Sequence, residues 1–487
     1  ELSLRRASGY TDYTLVEDVD TAFISMVTDG NYAGAEISQS TVREYETTAA
    51  AHILGLVGPL YPEDLENPFY DDYPQNATVG KSGVEAAFEE YLRGKNGRRV
   101  ISTNSEGKIT GQYYATEPEP GSTVELTIDL ELQQTVEAIL AEAVTAMNKD
   151  GLTDRGAAAV VELVDSGELL ALANYPTYDL STYRQDYTEL SEDPAHPLYN
   201  RATSTPYAPG STIKPLTAVA ALEEGIVSPT DKIYSPYTWR YPGDPNSYSN
   251  CAGGSHGWIN VSQAITKSCN YFFSEMGYQL GMDNLREYLS AFGLGAHTGI
   301  ETGDNTGTLP ENRPGEDQAP WAGYGQANQA YTPLQLANYI CTLVSGGVRR
   351  EPHLLKAVKS YDNSQVLAVG NTEPVQTLEL HDATLEAVKK GMYGYTQPGG
   401  SVAAYFQNCV VTAGAKTGTS QLGGDQKDNG VFVCFAPYDD PEIVVSIVIE
   451  HAGSGAALAP SAVKILNAYF SADNASGSIT GENQLLP

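Results

Sequence analysis

Long apolar runs, basic side chains and cysteines are all scarce in this 487-residue chain, and each scarcity excludes something. No stretch approaches the roughly 18 to 20 uninterrupted apolar residues that a membrane helix needs, and Glu1 is not followed by a charged-then-apolar signal segment. The chain opens without an initiating Met, so an anchor or signal upstream of Glu1 is expected to have been removed. Lys and Arg number 28 against 61 Asp and Glu. The net charge of −33 repels phosphate backbones over most of the molecule, which argues against nucleic-acid partners. Five cysteines, Cys251, Cys269, Cys341, Cys409 and Cys434, are too few for a disulfide framework, and their odd number leaves at least one unpaired. No internal repeat is visible.

What remains is the composition of a folded protein, with 41% hydrophobic and 18% charged residues. The length suggests roughly two to four domains. Val84, Ala87, Phe88, Tyr91 and Leu92 recur at helical spacing, and Glu117 to Pro120 reads as a Pro-rich linker. The expected division is therefore a first domain over residues 1–120, a large domain over 121–473 and a mobile tail over 474–487. In the large domain, Thr123 to Ile128 alternates like a strand and Leu130 to Met147 has helical periodicity. Ala157 to Val164 and Leu169 to Asn174 flank a turn at Asp165, Ser166 and Gly167. Gly430 to Ala436 and Ile443 to Glu450 repeat that pattern around Asp439, Asp440 and Pro441. An α+β fold is expected: an antiparallel sheet interrupted by a mostly helical insertion from Ser211 to about Lys390.

Three short motifs carry chemistry. In Ser211-Thr212-Ile213-Lys214 the spacing puts an amine and a hydroxyl on one helix face, where the amine can take the hydroxyl proton. Gly210 and Ser211 look like a helix start, whose N–H groups and partial positive charge suit an oxyanion and a neutral lysine. Ser268-Cys269-Asn270 offers a hydroxyl and an amide from one turn, fit to relay a proton and hold a substrate amide. In Lys416-Thr417-Gly418-Thr419 a cation can attract a carboxylate, while Gly418 lets a substrate backbone approach the strand edge. Singly, each has an ordinary explanation: a capped helix, a polar turn, an edge strand guarded by lysine.

Together and in this order, the motifs resemble the signature of class A β-lactamases and penicillin-binding proteins. Asn200 to Thr203 and Tyr207 to Pro215 resemble the active-serine segment of class B penicillin-binding proteins, as do Gly325-Gln326, Thr332 to Gln335 and Lys416 to Ser420. Gly80 to Glu85, Leu92 to Gly94 and Leu126 to Leu130 resemble the family's pedestal and its junction with the transpeptidase domain, with a preference for the elongation type. The resemblance implies an enzyme on the extracytoplasmic face of the bacterial membrane, anchored by an N-terminal helix, that cross-links peptidoglycan stems ending in D-Ala-D-Ala. It implies Ser211 as nucleophile, Lys214 as base, Ser268 and Asn270 as relay and amide holder, and Lys416, Thr417 and Thr419 as carboxylate clamp beside Gly418. The oxyanion hole would be the N–H groups of Ser211 and Thr419. Partners implied are stem peptides, β-lactams and proteins of the cell-wall synthesis complex, with no cofactor required. A carboxypeptidase, a β-lactamase or a non-turnover penicillin sensor stays open.

The middle residue of the second motif, Cys269, departs from the pattern. With Cys251 and His256 it makes a Cys-x4-His pair followed by twelve residues and a second Cys, a soft set that suits tetrahedral zinc. Asp244 is the carboxylate expected to complete the shell. A Cys251–Cys269 disulfide or two buried thiols are the alternatives.

Overall fold

The computed structural model describes residues 43–71, 73–74, 77–105, 109–422 and 426–475, with residues 15–16, 19–30, 32, 35 and 37 nearer the start. These fall into two compact units, one within residues 1–46 and one from Thr47 onward. The first contains α1 (Thr21–Gly30), which buries none of its residues. The expected tail lies, from residue 476, outside the described residues.

The second unit begins with small elements. β1 (Val57–Pro59) pairs antiparallel with β2 (Thr78–Gly80). The expected helix over 84–92 is two short helices, Gly83–Ala87 and Glu89–Leu92, broken at Phe88. The break turns the face: Val84, Glu85, Phe88 and Glu89 are buried while Ala87 and Tyr91 are exposed. Glu89 tolerates burial because its carboxylate accepts from Gly80 N at 2.8 Å and Tyr73 Oη at 3.3 Å. β3 (Arg98–Thr103) and β4 (Ile109–Thr116) form a two-stranded ribbon. The Pro-rich stretch that follows is pinned rather than loose, since Lys95 and Glu119 exchange backbone hydrogen bonds of 2.8 and 3.0 Å.

From β5 (Thr123–Leu126) the chain enters α2 (Leu130–Met147), opened by the Asp129 carboxylate accepting from Leu132 N. The hairpin β6 (Ala157–Leu163) and β7 (Leu169–Tyr175) comes next. The insertion then carries α3 (Lys214–Glu223), and four strands that helical expectation missed: β8 (Ile233–Ser235), β9 (Thr238–Tyr241), β10 (Asp244–Asn250) and β11 (Gly257–Ile259). They pair as β8 with β11 and β9 with β10. α4 (Val261–Thr266), α5 (Asn270–Ala291) and α6 (Pro333–Val344) follow. β12 (Val348–Arg349), β13 (Leu355–Lys359), β14 (Val366–Val369) and β15 (Gln376–Thr377) make two small sheets, β13 lying between β5 and β14. α7 (Asp382–Thr396) closes the insertion, and β16 (Gly414–Ser420), β17 (Asn429–Ala436), β18 (Ile443–Ile449) and α8 (Ala459–Ala475) end the fold.

The main sheet is antiparallel, in the order β16-β17-β18-β6-β7. Both faces are covered, so β17 and β18 are buried throughout and read as continuous apolar runs rather than alternating ones. On one face Phe432, Cys434, Val445 and Ile447 meet Leu132, Val136, Leu140 and Val144 of α2, spaced along a single helical stripe. On the other, Val431, Val433, Val444 and Val160 meet the helices of the insertion. Lys416 stands opposite Val433, so it belongs to this second face, and β16 is the sheet's edge.

Candidate active site

The nucleophile segment is fixed before its serine is reached. Tyr207 and Tyr331 exchange two backbone hydrogen bonds of 2.8 Å, and Gly210 N donates to Gly325 O at 3.1 Å. Gly210 has φ +51°, a conformation that disfavours a side chain. The turn Gly210–Ile213 runs directly into α3, with Pro215 in its first turn where the missing N–H costs least. Tyr339 Oη, from α6, holds the Thr212 carbonyl from behind. Thr212, Ile213 and Lys214 are buried while Ser211 is only half-buried, so Ser211 alone of the four reaches the cleft.

Lys214 is fully buried, and its Nζ donates to Asn270 Oδ1 at 2.6 Å, Ser268 O at 2.8 Å and Ser268 Oγ at 3.2 Å. Ser268 turns both oxygens toward it by adopting φ +50°, a strained conformation for a residue with a side chain. Lys416, equally buried, donates to the same Ser268 Oγ at 2.9 Å and to Thr417 O at 3.1 Å. One hydroxyl therefore bridges two lysines. Burial lowers the Lys214 amine to about 7, against a partial upward pull from Cys269 and Cys251. Burial also drives Lys416 well below the lysine range, and Lys214 adds to that shift. Both causes favour loss of a proton, so this pair releases one far more readily than surface lysines do.

β16 lies in backbone contact with the nucleophile turn. A Cβ at Gly418 would stand 2.2 Å from Pro209 O, and one at Gly210 would stand 2.7 Å from Thr419 N. This brings the Thr419 N–H beside the start of the serine turn. Thr417 and Thr419 are half-buried along the edge that β16 leaves unpaired among the described strands. Sequence reasoning missed one neighbour, Tyr395 at the end of α7. Its hydroxyl lies 2.5 Å from Thr417 Oγ1 and its ring 4.4 Å from Lys416 Nζ. No motif marks it, because it is remote in sequence from all three.

Cys251, His256 and Cys269 do converge, with donor atoms all within 4.8 Å of one another. The two sulfurs are 3.5 Å apart and unbonded, far from the ~2.05 Å of a disulfide. Tyr271 N donates to Cys251 Sγ at 3.2 Å and Phe272 N to Cys269 Sγ at 3.4 Å. The hydrogen bond with Cys269, then the Tyr271 N–H and His256, lower the Cys251 thiol against the upward effect of its burial, while the same pairing and burial push Cys269 up. His256 Nδ1 is buried without a partner, and so is Ser235 Oγ, which lies against Cys269. Asp244 does not join them. It opens β10 opposite Tyr241, whereas Asn250, next to Cys251, pairs with Thr238. Three strand positions separate these partners, roughly 10 Å.

The family profile described as the penicillin binding protein transpeptidase domain matches residues 157–469, and that of the penicillin-binding protein dimerisation domain matches residues 3–126. The chain belongs to the penicillin-binding protein transpeptidase family. It is 30% identical over 480 residues to the peptidoglycan D,D-transpeptidase MrdA of Escherichia coli K12, covering 91% of this chain and 73% of that one. The structure of Pseudomonas aeruginosa PBP2 in complex with WCK 5153 superposes with a TM-score of 0.74 at 27% identity, over 89% of this chain and 93% of that chain. A chain of a peptidoglycan synthase complex, described for coordination of polymerisation and cross-linking, gives 0.77 at 26% identity over 96% and 85%. The MrdA and PBP2 names of these relatives are consistent with the class B, elongation-type resemblance of the sequence.

Proposed function

We propose that this protein is a peptidoglycan D,D-transpeptidase that works through a Ser211 acyl-enzyme. The observation that carries this is the Ser268 hydroxyl held between Lys214 and Lys416, with Ser211 half-buried three residues before Lys214 in the turn Gly210–Ile213. Lys214, in its neutral form, takes the Ser211 proton as Oγ attacks the carbonyl of the penultimate D-Ala. The oxyanion is received by the N–H groups of Ser211 and Thr419. The peptide C–N bond then breaks, and the proton returns through Ser268 Oγ to the departing D-Ala amine. An amine of a neighbouring stem attacks the acyl-enzyme, gives up its proton by the same route and restores Ser211. Asn270 holds the substrate amide, and Lys416, Thr417 and Thr419 receive the terminal carboxylate, with Gly418 leaving room for the stem along β16. The domain division at residue 120 and a place outside the membrane, within a cell-wall synthesis complex, belong to this reading. Among the described residues no helix is long and apolar enough to cross a membrane.

Intact-protein mass spectrometry after penicillin exposure tests it. A stoichiometric adduct is expected, absent in Ser211→Ala; an adduct that survives the substitution overturns the assignment. Rapid hydrolysis of the adduct would instead identify a β-lactamase, and cleavage without stem transfer a carboxypeptidase. A stable adduct without turnover of stems would identify a sensor.

The donors Cys251, His256 and Cys269 fit a zinc ion, because the two sulfurs and the orphaned His256 ring already face one point. Bound there, zinc would supply a closed structural brace for the Ser268–Asn270 turn and no reacting group. Elemental analysis should find about one zinc per chain, lost with thermal stability in Cys251→Ser. Metal-free protein of unchanged stability would overturn the site.

A further inference from the structure

Tyr395 closes the last turn of α7 and is 3% exposed, yet its polar end and ring face both meet the third motif. The carbonyl of Tyr395 accepts from Val402 N at 3.3 Å, and Gly400 packs so tightly that a Cβ there would lie 2.3 Å from it. The side chain is thus set by a closed turn as well as by the core.

Two geometric facts need a chemical reason. First, Lys416 is fully buried and, among the described residues, forms no ion pair; its Nζ meets Ser268 Oγ, Thr417 O and the Tyr395 ring. The negative face of an aromatic ring adds to those two acceptors a third contact that fixes the amine and favours its charged form when a carboxylate arrives. Secondly, Tyr395 Oη and Thr417 Oγ1 are 2.5 Å apart. A phenol is the better donor of the two, so we assign the Tyr395 O–H to Thr417, with Ser401 as the hydroxyl's other neighbour, which leaves the Thr417 proton to point elsewhere. A hydroxyl that accepts one strong hydrogen bond becomes a stronger donor of the next. The direction left open to it is the cleft along the unpaired edge of β16.

We propose that Tyr395 is a positioning residue for the substrate carboxylate: its hydroxyl orients the Thr417 O–H, and its ring fixes Lys416 Nζ, toward the free edge of β16. This rests on the transpeptidase reading, in which Lys416 and Thr417 receive that carboxylate. Tyr395 itself touches neither the nucleophile nor the bond that breaks.

The test compares Tyr395→Phe and Tyr395→Leu with wild type, following Ser211 acylation by benzylpenicillin and by its neutral methyl ester. Tyr395→Phe keeps the ring and loses only the hydroxyl. It should raise the half-saturating concentration of the free acid by about three- to tenfold, as one net hydrogen bond does, without changing the limiting acylation rate. The ester should be unaffected. Tyr395→Leu should weaken the acid further because the ring is lost too, and Tyr395→Phe should add nothing in the Thr417→Val background, since the hydroxyl acts only through Thr417. Equal weakening of acid and ester, a fall confined to the limiting rate, or a Tyr395→Phe protein indistinguishable from wild type would overturn the proposal while leaving Ser211 as the acylated residue. Failure of wild type to acylate at Ser211 would remove the transpeptidase reading itself, and this role with it.

Discussion

Arg201 is as deeply buried as Lys214 and Lys416, but its surroundings are built the opposite way. Its guanidinium meets Glu450 Oε1 at 3.1 Å, His196 O at 3.1 Å and Ala195 O at 2.8 Å. Glu450 in turn accepts from Tyr207 Oη at 2.7 Å and Gly156 N at 2.8 Å. Every strong donor and acceptor in that cluster has a partner, and one of them, Tyr207, leads into the serine turn. The lysines have hydrogen bonds but, among the described residues, no salt-bridge partner, so burial outweighs the upward pull of the nearby thiols on Lys214 and makes their protons mobile. A paired buried charge fixes structure; an unpaired one is available for chemistry.

Substitutions sharpen this contrast. Lys214→Ala should slow Ser211 acylation by about two to four orders of magnitude, the range for losing a general base, with little loss of stability because no partner charge is orphaned. Unchanged acylation rates in stopped-flow labelling would point to another base. Arg201→Met should do the reverse, costing about 3–5 kcal/mol in denaturant unfolding by leaving the Glu450 carboxylate uncompensated. A loss below 1 kcal/mol would break the comparison. A fourth buried ionisable residue, Glu162, tests it with the opposite sign. Its Oε1 accepts from Asn338 Nδ2 at 2.7 Å, the Cys341 thiol lies against the carboxylate, and burial, the larger effect, raises its pKa from 4.5 to about 8. The folded state therefore binds this proton more tightly than the unfolded state does. The stabilisation is complete below the unfolded value of about 4.5 and is lost as pH climbs to about 8. Over that window stability should fall by up to about 1.4 kcal/mol per pH unit, and Glu162→Gln should flatten the curve. Identical pH profiles for the two proteins would show that Glu162 is not the group responsible.

The strands of the main sheet and α2 were legible because their patterns are strong: β17 and β18 are uninterrupted apolar runs, and α2 carries one apolar stripe. The three serine-enzyme motifs were legible because order and spacing survive in one dimension. What the sequence hid depends on contacts between distant segments. β8 to β11 are short and polar on one side, with Tyr234 and Trp258 exposed, so nothing distinguished them from loop. Glu89 lies off the apolar positions of its segment and is buried because Gly80 and Tyr73, from elsewhere in the chain, supply its donors. Asp244 looked close to Cys251 because seven positions is a short count, but an antiparallel hairpin carries those positions to opposite ends. Tyr395 reaches Lys416 and Thr417 only because α7 ends against the sheet edge.

The seam between the serine turn and β16 also limits how this protein can change under selection. A Cβ at Gly325 would fall 1.7 Å from Gly210 O, one at Gly210 2.6 Å from Thr419 O, and one at Gly455 2.3 Å from Gly418 O. Backbone touches backbone at each point, so there is no side chain to rearrange around a larger residue. On the proposed acylation of Ser211, a substitution at Gly210 would press the turn off the strand, so evasion of an acylating inhibitor by that route should cost the reaction on the natural substrate as well. Adaptive change is confined to the rim, where Thr417, Thr419 and the side chains behind them can alter what is held without opening the seam.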